Sequence, residues 1–278
     1  MTDPSISARK WPQQCPLAVS INVMLESWAD DDAPGIGPMG NPLPGRTADW
    51  QARSWAAYGP RTGAWRLLDI LAARRVKAVF YVSGLLAERN PQLLAAIHAA
   101  GHPIAAHGWV QGTLPATQTP EQEAADIDRC IAALTTSSGQ RPAGWISPRC
   151  TPSAVTTQLL AARQMRWHGD FFDADMPRIE QTVAGPIVAL PFSMEINDLP
   201  LTIRYGNAAE LFTQSLQRII ENSTRVVRKA CLDVTVHAHV FGRPAGAIEF
   251  DLSLQLLQSR QDIAFLTHHA ELADLTLA

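Results

Sequence analysis

The sequence predicts an α/β fold, a distorted (β/α) barrel with its working face at the C-terminal ends of the strands. Three observations predict it. Apolar, β-prone runs alternate with segments of helical period along the chain, as in a parallel sheet with crossover helices. The chain is 278 residues long, a length that one such barrel fills. Polar residues able to do chemistry fall at the ends of several runs, where barrel enzymes build their sites. A doubly wound open sheet is the structural alternative.

The predicted strands are Leu17–Leu25, Val76–Val82, Ile104–Trp109, Gly144–Ser147, Arg166–Phe171, Ile187–Phe192, Cys231–Val240 and Ile263–Leu266. Helical patterns occupy Gly63–Arg74, Pro91–Ala99, Pro120–Leu134, Ala154–Arg163, Ala208–Asn222 and Asp251–Ser259. The helix Pro120–Leu134 has the clearest start: Thr119 to cap it, Pro120 in its first position, and acids in its first turn. Residues 29–60 form a long Pro/Gly-rich connection after the first strand, placed to act as a lid or an interface arm. The whole of 1–278 reads as one catalytic domain.

Composition excludes several classes of function. A net charge of -3 leaves no electrostatic footprint for nucleic acid. The basic cluster Arg225, Arg228, Lys229 is short enough to be a solvated helix end. Cys15, Cys130, Cys150 and Cys231 have neither CxxC nor zinc-finger spacing and read as reduced thiols. No signal pattern opens the chain and no apolar run approaches a membrane span. The expectation is a cytoplasmic protein with a small-molecule substrate, no nucleic-acid or membrane partner, and self-association into a homo-oligomer through the 29–60 arm.

Asn22, Met24 and Glu26 alternate along the first strand and share a face, which puts Glu26 at the mouth as a base or ligand. His107 ends another apolar run, with Gly108 permitting close backbone approach. His237 and His239 lie two apart near a strand end and can serve as acid and orienter, or hold a metal. Trp28, Trp109 and Trp145 fall at strand ends, where aromatic faces can sandwich a planar ring. Arg149 is placed to bind a carboxylate or carbonyl oxygen; Asp175, Glu195, Asn197 and Asp198 are placed to add polar contacts. His102 reads as structural, and the pair His268-His269 as surface. A buried structural histidine or a core tryptophan is the competing reading throughout.

Taken in order, several segments resemble the polysaccharide deacetylase (NodB-homology) superfamily, and within it the metal-independent allantoinase and cyclic-imidase branch. They are Tyr58–Leu68, Gly101-His102 leading to His107-Gly108-Trp109, Arg141–Trp145, Asp175–Pro177, Leu190–Asp198 and His237–Pro244. The resemblance implies the NodB type of distorted barrel and hydrolysis of a linear or cyclic amide C–N bond. Metal-dependent members hold a divalent ion with a first-strand carboxylate and both histidines of His-x-x-x-His. A second first-strand Asp is their base and a late histidine their acid. Here the first histidine maps to His107, but the second falls on Gln111. The late histidine maps to His237, and the Asp positions fall on Asn22 and Met24, or on Leu25 and Glu26.

These departures imply a site that binds no metal and no other cofactor. Glu26 is then the base, His107 and His237 are the acid or oxyanion partners, and Gln111 joins the substrate contacts. The activity so implied is hydrolysis of a small cyclic amide, ureide or imide. The alternatives are an N-acetyl-sugar deacetylase with a weakly bound divalent metal such as zinc, and a catalytically silent ligand-binding member.

Overall fold

The computed structural model describes residues 11, 14–29, 43, 47–226 and 229–277. Strand β1 (Leu17–Leu25) is its axis: all nine residues are buried, as in a strand covered on both faces. They alternate between two environments. Leu17, Val19, Ile21, Val23 and Leu25 join the core beneath the helices, whereas Ala18 and Met24 join a second cluster inside the curl of the sheet. The same alternation puts Ser20, Asn22 and, beyond the strand, Glu26 on the inner face.

After β1 come α1 (Trp50–Tyr58), a π-helical turn over Gly59–Gly63, α2 (Ala64–Arg74), β2 (Val79–Val82), α3 (Gly84–Arg89) and α4 (Pro91–Ala99). Next are β3 (Ile104–Ala106), α5 (Pro120–Ser138), β4 (Gly144–Trp145), α6 (Thr156–Ala162) and β5 (Trp167–Phe171). The hairpin β6 (Arg178–Thr182) and β7 (Gly185–Pro191) leads to β8 (Ile196–Asn197) and a π-helical turn over Leu199–Arg204. The chain ends with α7 (Glu210–Val226), β9 (Ala230–His237), α8 (Pro244–Ser259), β10 (Ala264–Thr267) and α9 (His269–Leu277).

Among the described residues the sheet order is β6-β7-β5-β4-β3-β2-β1-β9-β8, with β10 also against β1. Every pairing is parallel except β6–β7. Strand β1 pairs with β9 along its length, with β10 over Leu17–Ser20 and with β2 over Asn22–Leu25. The sheet therefore curls into an open half-barrel, the distorted form of the predicted fold. Its N-terminal end is plugged by α9, whose Leu272 and Ala273 belong to the inner cluster.

Several boundaries differ from the sequence reading for physical reasons. Residues 29–60 are not one loop: Asp49 caps the backbone N–H of Ala52 and starts α1. Residues 30–42 and 44–46, which carry most of the lid or arm expectation, and Arg228 of the basic cluster lie outside the described residues. Helix α5 has the predicted cap but runs past Leu134. The hydroxyls of Thr135 and Ser138 bond back to carbonyls four residues earlier, and Gly139 ends the helix at φ 75°. Strands β3 and β9 stop at Ala106 and His237, so His107 and His239 stand on the exits.

One exit is fixed by a backbone crossing. A Cβ on Gly63 would lie 1.9 Å from the Ala238 carbonyl oxygen, and one on Gly242 would lie 2.4 Å from the Gly63 Cα. Only glycines let the π-helical turn pack against the β9 exit this closely. Gly63→Ala is expected to destabilise the protein by about 3 kcal/mol or more in urea unfolding. Gly139→Ala meets nothing within 4 Å and costs only the left-handed backbone strain of about 1–2 kcal/mol. Equal losses would show that the crossing is not tight.

Candidate active site

The C-terminal ends of β1, β3 and β9 bring Glu26, His107, His237 and His239 together. Glu26 Oε1 stands 3.5 Å from His107 Nε2 and 3.7 Å from His237 Nε2, and Oε2 stands 3.9 Å from His239 Nε2. All four residues are buried. One carboxylate thus faces three imidazoles in a place largely closed to water.

Two of the rings, His107 and His237, are aimed by their other nitrogen. His107 Nδ1 donates to the Ile146 carbonyl at 2.8 Å, which turns Nε2 toward Glu26. His237 Nδ1 donates to Asp198 Oδ1 at 2.6 Å. The second oxygen of Asp198 accepts the backbone N–H groups of His237 at 2.7 Å and Phe241 at 3.2 Å. Asp198 therefore holds both the ring and the turn that carries it. Sequence reading noticed Asp198 only as one of several polar residues after Phe192; no spacing signal ties it to His237, thirty-nine positions away.

The charges follow from these neighbours. Burial pushes the Glu26 carboxyl up, but His237, His107 and His239 outweigh it and hold it down to about 2. Burial pushes His237 down, but Asp198 and Glu26 outweigh it and raise the imidazole above its ordinary value. His239 is left at about 4, lowered by burial and opposed only in part by Glu26. The resting site holds an ionised Glu26 and a neutral His239, with His237 lying between two carboxylates.

Trp28 belongs to the same cluster, its ring edge-on to His239 with centroids 5.6 Å apart. Trp28 Nε1, His239 Nε2 and Ser27 Oγ are buried without a hydrogen-bond partner among the described residues. Buried donors of this kind are seldom left unused in folded proteins.

Other predicted contacts are corrected by the structure. Trp145 is fully buried in the helix-side core, because the strand alternation gives the inner face to Ile146 instead. Trp109 turns away to stack under Arg129 of α5, 3.5 Å from guanidinium carbon to ring centroid, and abuts Gly84. Gln111 is fully buried as a latch: Nε2 donates to Ser83 Oγ and the His107 carbonyl, and Oε1 accepts from the Arg149 backbone. The Asp175 carbonyl accepts from Cys231 N, at the opposite end of β9 from His237. That is about 20 Å along a strand of ~3.3 Å per residue. The Arg149 and Glu195 side chains are exposed, with no polar contact to the cluster among the described residues. His269, read as surface, is 1% exposed inside the curl.

The residues present do not fit the divalent ion that the resemblance ascribes to the metal-dependent polysaccharide deacetylases. Gln111 stands at the second histidine position with both ends of its amide engaged. Asn22, at an Asp position, bonds to Asp233 deeper in the curl, and Met24 packs in the inner cluster. Among the described residues no three His, Cys, Asp or Glu side chains are arranged to hold a metal. No helix among them is long and apolar enough to cross a membrane.

Residues 57–167 match the family model described as polysaccharide deacetylase. The chain is 22% identical over 283 residues to a protein of Schizosaccharomyces pombe assigned to the polysaccharide deacetylases, covering 86% of this chain and 83% of that one. Its fold is shared by a protein of Pseudomonas aeruginosa PAO1 assigned to the same enzymes. The TM-score is 0.83 at 24% identity, over 95% of this chain and 92% of the other. The PuuE allantoinase superposes equally well, with a TM-score of 0.83 at 23% identity over 95% and 91% of the two chains. Residues 57–167 are therefore similar to the polysaccharide deacetylases, and the curled parallel sheet is the fold shared with these solved structures.

Proposed function

We propose that the protein hydrolyses a carbon–nitrogen bond of a small cyclic amide, ureide or imide without a metal ion. The observation that carries this reading is the line Asp198–His237–Glu26, which pairs a carboxylate base with an imidazolium acid in one buried site. The likeness to an allantoinase supports the substrate class.

In the reaction Glu26 takes a proton from water as the water oxygen attacks the carbonyl carbon. The oxyanion is met by the unpartnered N–H of Trp28, with His239 Nε2 and His107 beside it. His237 gives its Nε2 proton to the leaving nitrogen, the C–N bond breaks and the ring opens to a carboxylic acid. Passing the proton from Glu26 to His237 resets the site. Asp198 never gives up charge to substrate; it stabilises the imidazolium and fixes its tautomer. Acid–base catalysis of this kind contributes about 10²–10⁴ for each group. That is better matched to an activated imide or ureide than to an unactivated acetamide.

Three outcomes test the reading. With succinimide and hydantoin as substrates, Glu26→Gln is expected to lower kcat/KM by about 10²–10⁴ while the circular dichroism spectrum stays unchanged. Full activity in that variant would remove Glu26 as the base, and absence of turnover in the parent protein would favour a silent binding protein.

The pH profile supplies a second test. His237 must be protonated to act, so kcat/KM falls as pH rises through its raised value. Asp198→Asn removes a charge that favours the imidazolium, so the alkaline limb should move to lower pH. An unmoved limb would mean that another group titrates.

Trp28→Phe keeps the ring but loses the N–H donor. It should reduce kcat by roughly 10²–10³ with a smaller change in KM. A loss confined to KM would make Trp28 a ground-state contact only.

A further inference from the structure

Below the mouth, the inner face of the curl carries a second buried polar chain that the reaction above does not use. Asp233 Oδ1 in β9 accepts from His269 Nε2 at 2.6 Å and from Asn22 Nδ2 at 2.8 Å. Its Oδ2 accepts the Ser193 backbone N–H at 2.8 Å. The other ring nitrogen, His269 Nδ1, and the Tyr81 hydroxyl are hydrogen-bonded at 2.5 Å. Trp167 Nε1 donates to the same hydroxyl at 3.3 Å. Burial raises the Tyr81 hydroxyl far above its ordinary value, so it remains a donor.

Six distant parts of the sequence therefore supply one buried network. Such a network specifies an arrangement rather than adding bulk stability. Helix α9 is also seated by Leu272 and Ala273, which pack into the inner cluster. What it fixes is the Tyr81 ring, held at its hydroxyl by two partners. That ring meets His107 edge-on, with centroids 6.5 Å apart and planes at 68°. The polar holds on the His107 ring lie at its two nitrogens, Nδ1 on the Ile146 carbonyl and Nε2 at 3.5 Å from Glu26 Oε1. The Tyr81 ring adds an apolar wall against the side of the imidazole.

We propose that Asp233, His269 and Tyr81 form a positioning chain that holds the His107 imidazole toward Glu26 through the Tyr81 ring, and so makes that alignment depend on the seating of the C-terminal helix α9. The inference rests on His107 belonging to the site, and it is tested without substrate, so failure to find turnover leaves the result readable.

The experiment is nitrogen-15 NMR of the histidine rings in the full-length protein, with the His107 signals assigned by their loss in His107→Gln. The parent should show one set of His107 ring signals, with a proton on the Nδ1 that bonds the Ile146 carbonyl. Tyr81→Phe keeps the ring and removes the hydroxyl; it should shift or average the His107 signals as well as those of His269. Asp233→Asn should do the same by a different route and serves if Tyr81→Phe does not fold. Leu134→Ala truncates the helix-side core and should lower the unfolding midpoint without moving His107. Unchanged His107 signals in Tyr81→Phe, with only His269 affected, would overturn the proposal and leave the chain as an anchor for α9.

Discussion

The site depends on one electrostatic arrangement: the Glu26 carboxylate buried among His107, His237 and His239, with Asp198 behind His237. A lone carboxylate in such a place would take up a proton instead of staying charged. Here the imidazoles hold it ionised, and Asp198 in turn keeps His237 able to carry a positive charge. Removing His237 takes from Glu26 its cationic neighbour, and removing Asp198 takes from His237 the carboxylate bonded to its Nδ1. The surrounding fold places these groups at once, because β1, β3 and β9 end at the same level and their inner-face residues run out into the mouth.

Strand alternation is what divides the molecule into a helix-side core and an inner face. In β1 the odd-numbered positions from Leu17 to Leu25 feed the first, and Ala18, Ser20, Asn22 and Met24 feed the second. This period of two was legible in the sequence, and it correctly put Asn22, Met24 and Glu26 on one side. The same rule explains why Trp145 fails as a substrate contact. It sits at a strand end, but on the helix-side parity, where Ala106 and Leu134 also lie. Position along a strand was readable; parity in a strand of two residues was not, because so short an element shows no period.

What sequence alone could not supply is pairing across distance. Asp198 and His237 meet because β8 lies beside β9, and Asp233 and His269 because α9 folds back into the curl. Neither strand order nor the return of a terminal helix follows from local pattern. Gln111 shows the converse. Its position in the family motif marked it for the site, yet its amide ties Ser83, His107 and the Arg149 backbone together. At the position where the resemblance places a metal ligand, Gln111 is instead part of the frame that holds His107.

The central claim is that these side chains carry out hydrolysis without an ion. It is tested most directly by measuring turnover of a cyclic imide or ureide against the metal content of the same protein samples. The account predicts steady turnover in samples with far less than one equivalent of metal, unchanged when zinc is restored. Turnover that rises in proportion to bound metal, or that begins only when zinc is added, would contradict it.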